Sequence, residues 1–466
     1  MQNEIEYLFK YCNKLIKADG TPANFGYIFR YDAGIRNPLL KKLVDRALDG
    51  HIYRTHVLND AANWKRFQSK FNQFPPTFIS AGSQKNLWKE PSRIRAAILT
   101  GGGVASGLNR VVHSIVRRHY DVYKLDESEG GIIYGIRDGF HGLSERSEVR
   151  VIKLDQEKTR RWLDCGGTML GSLRSDPRPG IEKEWLSVLK RLNVDIIYII
   201  GGNGSQTAAY KLYSKIINSL DSNEIVVAGI PKTMDNDIFW TDRSFGFQST
   251  VDEAARIIKA LKEDAFSTRR LCIIQLFGRD SGFVAASASL ASGCVDVVLI
   301  PEECQSPRFN ADIFCDYLKN IISKRMQRRE DYGIIVAAEG AGPFNNDREK
   351  NLKWLEEKII RQRISKVDLP RGGVFINEPR HLIRAIPPNP NDQIFCQRLA
   401  DLTVDNALAG FTGFMVTRWL SNFVLVPLKH VAGRTKRIDI DGLLWKQVKD
   451  STSQPSFSIR KKLKYK

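Results

Sequence analysis

The sequence predicts a Rossmann-like α/β fold with mainly parallel sheets, and three observations carry that prediction. From Arg95 onward, short β-branched runs end in glycine and give way to helical periodicity, the signature of βαβ units. Several of those runs are apolar throughout rather than alternating, as expected for strands covered by helices on both faces. The unusual polar residues fall just after the runs, at the strand carboxyl ends where open parallel sheets bind ligands.

In chain order, residues up to about Ser92 read as an accessory layer: Ile5, Leu8, Phe9, Cys12, Leu15 and Ile16 have helical spacing, and no glycine-rich turn interrupts the segment. Strands are then expected at 96–100, 194–200, 225–230, 271–277, 295–300 and 334–338. The Arg371-Gly372-Gly373 stretch and the Pro387-Pro388-Asn389-Pro390 loop punctuate the chain beyond the last of these strands. There is no short-period repeat and no low-complexity segment.

A chain of 466 residues, 42% hydrophobic, can bury a substantial core and has the length of two or three domains. No apolar run approaches the ~18 to 20 residues of a bilayer crossing, and the start lacks the pattern of a signal peptide, so an intracellular protein is expected. Seven cysteines with no Cys-x-x-Cys pair fit a reduced compartment and argue against a disulfide framework or structural zinc. The net charge of +19 favours anionic partners. That excess is spread out, and its one dense run, Arg460, Lys461, Lys462, Lys464 and Lys466, is read as a solvated terminus. Without aromatic-basic interleaving, nucleotides and sugar phosphates are more natural partners than nucleic acid.

The first strand leads into Gly101-Gly102-Gly103-Val104-Ala105-Ser106-Gly107 and a helix marked by Val111, Val112, Ile115 and Val116. Glycines admit a ligand close to the backbone, and the helix N-terminus offers free N–H donors to phosphate. Ser106 stands where a dinucleotide turn has its third glycine, and no Gly-Lys-Ser/Thr follows; a plain βα turn is the other reading of this loop taken alone. A second loop, Gly201-Gly202-Asn203-Gly204-Ser205-Gln206, strengthens the phosphate reading, because two such loops can flank one polyphosphate. Between them, Gly166 to Leu173 forms a third glycine turn that ends in Arg174, whose guanidinium suits phosphate or a plain surface position.

The stretch Pro231-Lys232-Thr233-Met234-Asp235-Asn236-Asp237 gathers two carboxylates, an amide, a hydroxyl and an ammonium at one strand end. Such a set can deprotonate a hydroxyl and hold Mg²⁺, the parts that phosphoryl transfer requires; an Asx-rich helix cap needs only one of them.

Thr233-Met234-Asp235-Asn236-Asp237 resembles the Thr-Ile-Asp-Asn-Asp motif of the 6-phosphofructokinases, and Pro231-Lys232 resembles its pyrophosphate-dependent, plant and trypanosomatid versions. Phe277-Gly278-Arg279 is similar to the family's Met-Gly-Arg sugar-binding turn, and Arg270, Glu339, His381 and Arg384 follow at family spacing. The resemblance runs from about Arg95 to about Pro455 and points to the long-chain, ATP-dependent branch.

It implies that Asp235 is the base activating the sugar's 1-hydroxyl, with Thr233, Asp237 and Arg279 at the transferring phosphate. Gly102, Arg174, Gly202, Asn203, Gly204 and Ser205 would hold ATP, and Asn203 and Asp237 would hold Mg²⁺. Thr233, Met234, Asp235, Phe277, Gly278, Arg279, Glu339, His381 and Arg384 would take fructose 6-phosphate, joined by Arg270 from a neighbouring subunit. That last role implies a homo-oligomer, a tetramer or dimer. The implied organisation is an accessory segment at 1–93, a nucleotide domain at 94–246 to which the chain returns at 386–440, a sugar-phosphate domain at 247–385 and a tail at 441–466. A cytoplasmic location is implied, a peroxisome-like organelle being the other possibility.

Three departures stand out. Asn203 replaces the aspartate of the family's Gly-Gly-Asp, and Phe375 occupies a place where relatives usually carry a basic residue. Val104 and Ser106 replace commoner residues in the first loop. A weakened or regulatory paralogue is therefore an alternative. A pyrophosphate-dependent enzyme is another: Gly204 favours ATP, whereas Lys232 is shared with the pyrophosphate type. A nucleic-acid-binding protein and a dinucleotide oxidoreductase are more distant rivals.

Overall fold

A computed structural model describes residues 78–144, 150–173, 178–219, 224–305, 309–344, 347–419 and 421–458, with the backbone of short strands at 29–30, 35–36, 55–56 and residue 77. The helical periodicity between Ile5 and Ile16, Arg174 and the basic run from Arg460 lie outside the described residues.

Two principal sheets organise the chain. The larger has nine strands: β1 (Thr55–His56), β2 (Thr77–Ser80), β3 (Arg95–Gly101), β4 (Ile132–Ile136), β5 (Val151–Lys153), β6 (Ile196–Gly201), β7 (Val226–Pro231), β12 (Phe414–Trp419) and β13 (Asn422–Pro427). The smaller has four: β8 (Leu271–Leu276), β9 (Val297–Leu299), β10 (Gly333–Ala338) and β11 (Val374–Asn377).

In the larger sheet the order is β1-β2-β13-β12-β7-β6-β3-β4-β5. Its centre is parallel from β12 to β4, and antiparallel strands close both edges. The accessory segment thus extends this sheet through β1 and β2. The smaller sheet, ordered β9-β10-β8-β11, is parallel throughout.

The unbroken apolar runs follow from double-sided burial. Ala96 and Ile98 of β3 face one core with Tyr198 and Ala228, while Ala97 and Leu99 face another with Ile197 and Val227. The first core is filled by helix α1 (Leu108–Arg117), whose Leu108, Val111, Val112 and Ile115 recur at helical spacing. Helix α2 (Asn203–Ile217) covers the opposite face through Ala208, Ala209 and Leu212.

Two long helices connect the halves. Helix α3 (Phe247–Thr268) leaves the larger sheet and packs Ala254, Ile258 and Ala265 into the core of the smaller one, alongside α4 (Phe283–Ser292). Helix α5 (Pro390–Leu408) returns the chain to α1; it starts where Asn389 caps the Asp392 N–H and Pro390 fills the first turn. The two are clasped by Asp392, buried, which accepts from the Ser249 N–H at 2.8 Å and hydroxyl at 2.6 Å.

The stretch read as a tail is, through Ser458, part of the second core. Trp445 and Val448 of α6 (Leu443–Thr452) and Phe457 are buried there, because their apolar area is worth more inside than in water. Among the described residues no helix is long and apolar enough to cross a membrane.

Candidate active site

A cavity of about 1030 Å³ opens where the carboxyl ends of the two sheets face each other. One wall is backbone. Strands β3 and β6 end in register at Gly101 and Gly201, and between them sits Ser205. A Cβ on Gly201 would lie 2.2 Å from the Ser205 Cβ, and one on Gly101 would lie 2.6 Å from its hydroxyl, so only glycines let the two loops meet. Gly102 then turns with φ +82°, and Gly202 caps α2, whose N-terminus faces the cavity. The third glycine turn braces this wall: Ser172 donates to the Gly102 carbonyl at 2.6 Å, and Thr100 donates to the Gly171 carbonyl at 2.7 Å. The Gly102 N–H itself donates to Leu173 O at 3.3 Å.

The floor is the acidic stretch after β7. Lys232 is buried, donates to the Gly103 carbonyl, and is pulled down to about 8 by burial, partly offset by Asp235 and Asp237. Burial, reinforced by Asp237 and Glu339, holds the Asp235 carboxyl well above the usual carboxylate range, against Lys232 and Arg279. Asp237 is raised by burial too, while the Thr233 hydroxyl opposes the shift. Asn236 plays a different part from its neighbours. With φ +53°, its amide accepts from the Ser244 N–H at 3.0 Å and donates to the Asp242 carbonyl at 3.2 Å, so it fixes the turn that presents the two aspartates.

The facing wall is made of side chains. Arg279 pairs with Asp280 at 2.7 Å and stays half-exposed. Glu339 is raised by burial, with Arg348, Arg279 and Arg384 opposing in that order. Phe277 packs edge-on against His381 with ring centroids 6.4 Å apart, and Arg384 lies over the Phe277 ring at 5.3 Å.

The model of the phosphofructokinase family matches residues 95–407. The chain belongs to the phosphofructokinase family. It is 35% identical over 404 residues to the ATP-dependent 6-phosphofructokinase of Amycolatopsis methanolica, covering 82% of this chain and 83% of that one. Against the ATP-dependent 6-phosphofructokinase of Trypanosoma brucei brucei it is 32% identical over 393 residues, covering 82% and 77%. ATP-dependent 6-phosphofructokinase 2 of Arabidopsis thaliana is 31% identical over 412 residues, with 84% and 88% covered. In fold, the chain is similar to the pyrophosphate-dependent phosphofructokinase from Marinobacter aquaeolei, with a TM-score of 0.62 and 21% identity over 77% of this chain and 91% of that one.

Of the residues the phosphofructokinase motifs single out, the cavity gathers Gly102, Gly202, Asn203, Gly204 and Ser205 on the backbone wall and Thr233, Met234, Asp235 and Asp237 on the floor. Phe277, Arg279, Glu339, His381 and Arg384 line the facing wall. Gly278 stands behind it: its φ is +133°, and a Cβ there would lie 2.4 Å from the Ser281 carbonyl. Arg270 is exposed and outside the cavity, its guanidinium 5.8 Å from the Phe375 ring. Phe375 packs against the second core and does not line the cavity either. Five lining residues were not singled out from the sequence: Asp347, Arg348, Glu349, Arg380 and Thr435. Only Arg380 had a local signal, its place beside His381.

A magnesium ion fits the floor. Magnesium usually takes one or two carboxylates together with substrate phosphates. Asn203 Oδ1 and Asp235 Oδ1 are buried without a hydrogen-bond partner among the described residues, while the Asn203 amide donates to Asp237 Oδ2 at 2.8 Å.

Proposed function

We propose that this phosphofructokinase transfers the γ-phosphoryl group of ATP to the 1-hydroxyl of fructose 6-phosphate, giving fructose 1,6-bisphosphate. The observation that carries the reading is the partly buried Asp235 carboxylate, set between a glycine-built wall and a cationic one in a single cavity.

The backbone wall, from Gly102 and from Gly202 to Ser205, would grip the triphosphate, with Arg174 as a further counter-charge. Gly204 supports ATP over pyrophosphate, because nothing lies within 4 Å of a Cβ built there and the space is left to the nucleotide. Asp235 would take the hydroxyl proton while the sugar oxygen bonds to the γ-phosphorus and the bond from that phosphorus to the β–γ bridging oxygen breaks; ADP leaves. Asn203 and Asp237 would hold magnesium, which supplies charge neutralisation for the phosphates. Thr233 and Arg279 would flank the transferred group, with Met234 and the Phe277-Gly278 turn shaping the sugar site. Glu339 would accept a sugar hydroxyl, and His381 and Arg384 would meet the sugar phosphate. Arg270, exposed beside Phe375, would serve a neighbouring subunit of a homo-oligomer.

A coupled assay with fructose 6-phosphate tests the reading by comparing ATP with pyrophosphate as donor. Bisphosphate formation with ATP and magnesium is expected. Turnover with pyrophosphate alone would transfer the reading to that donor, and no turnover with either would favour a binding paralogue, the alternative raised by the neutral amide at Asn203.

A further inference from the structure

The cationic wall has more arginine than the motifs account for. Beyond Glu339 and His381 the cavity is lined by Arg348, which opens the helix Arg348–Lys353, and Arg380, which opens the 3-10 turn Arg380–Ile383. In each, the Nε is fully buried yet has no hydrogen-bond partner among the described residues. Glu378 Oε2 stands 4.0 Å from Arg348 Nε, beyond hydrogen-bonding distance. A buried guanidinium N–H left unpaired is costly, so it marks a place where an acceptor belongs.

Two further observations aim these groups into the site. Arg348 is the foremost charge opposing the upward shift of Glu339, which places it over the same end of the cavity. Arg380 has φ +27°, a conformation that side-chain-bearing residues rarely adopt and that tends to persist where function requires it. The carboxylates at this end leave room for an anion: Glu349 is largely exposed and meets Arg348 only through its Nη2 at 3.0 Å, and Asp347 is engaged by Lys350 at 2.9 Å. Meanwhile Phe375 brings no charge and lies outside the lining.

We infer that Arg348 and Arg380 form the anchor for the dianionic phosphate monoester of the sugar in this chain, supplying the charge that position 375 lacks. Arginine suits the task because its planar fork matches phosphate oxygens two at a time. The inference rests on the sugar-phosphate reading of the site, and it is separable from it by experiment.

The test measures binding of fructose 6-phosphate to the full chain by calorimetry, together with KM values for sugar and ATP. Arg348→Ala and Arg380→Ala are each expected to weaken sugar-phosphate binding at least tenfold while the KM for ATP changes less than twofold. Arg380→Lys should recover only part of the loss, because it restores charge without the fork. Fructose, which lacks the phosphate, should bind wild type and variants alike. Weakened binding in a protein that shows no turnover would uphold the anchor and overturn the kinase. Active variants with unchanged sugar affinity would overturn the anchor alone, whereas a wild type that binds no fructose 6-phosphate would overturn the sugar-phosphate reading and the anchor with it. An intact ATP KM, or an unchanged thermal midpoint if turnover is absent, separates loss of the anchor from loss of the fold.

Discussion

The two walls of the cavity are built on opposite principles. The wall at β3 and β6 is nearly all backbone: glycines in register, a helix N-terminus and one buried lysine bonded to a carbonyl. The wall that follows β8, β10 and β11 is nearly all side chain, with Arg279, Glu339, Arg348, Arg380 and Arg384 reaching in from the segments after those strands. A polyphosphate with many oxygens can be held by fixed N–H dipoles and close approach, which glycine provides cheaply. A compact phosphate monoester is well matched by concentrated side-chain charge, which arginine supplies in a bidentate fork. The proposed division of labour between nucleotide and sugar matches the kind of atom each wall presents.

The contrast is sharpest at its seam, Asp235. Asp235→Asn should lower kcat by ~10³-fold with both KM values nearly kept, since general-base catalysis is typically worth that much. The same change should stabilise the fold. A carboxyl whose pKa is raised by burial binds its proton more tightly folded than unfolded, so its contribution to stability is lost as pH rises through that range. The thermal midpoint of Asp235→Asn should exceed wild type by about 2 °C at pH 8 and by less at pH 5; equal midpoints at pH 8 would contradict the burial argument.

On the backbone wall, Gly204→Asp should raise the KM for ATP by ~100-fold through repulsion of the triphosphate. Its thermal midpoint should hold, because the new Cβ meets no atom within 4 Å. An unchanged ATP KM would mean that the nucleotide does not pass this point. Smaller still is Asn203→Asp, which replaces a neutral donor beside Asp237 with a carboxylate. The magnesium concentration for half-maximal rate should fall about tenfold, as hard cations prefer carboxylates, and a rise would show that the Asn203–Asp237 hydrogen bond matters more than the charge.

The mildest test reads the field between the walls. Lys232 favours the ionised form of Asp235, so Lys232→Met should move the acid limb of the kcat/KM profile up by about one pH unit. A limb that stays in place would assign it to another group.

Much of this was legible in the residues. The six expected strands all appear, each within two residues at either end, because continuous β-branched runs ending in glycine admit few other structures. Strands β1, β2, β4, β5, β11, β12 and β13 were not foreseen. β5 has only three residues, β11 is half-buried along its length, and β13 begins exposed, so none of these three carries the double-sided apolar signal in full. The packing of Trp445 and Phe457 was equally unannounced, since a short amphipathic helix near the end of a chain does not say which core it meets.

By itself, the sequence determined the glycine loops, the acidic stretch and the order in which they occur, because backbone conformation and local chemistry are written in neighbouring residues. Tertiary structure alone decided that Arg348 joins Arg380 and that Phe375 and Arg270 turn away from the cavity. Those placements depend on how loops from distant strands converge, and no local pattern encodes a convergence that is set by the packing of whole sheets.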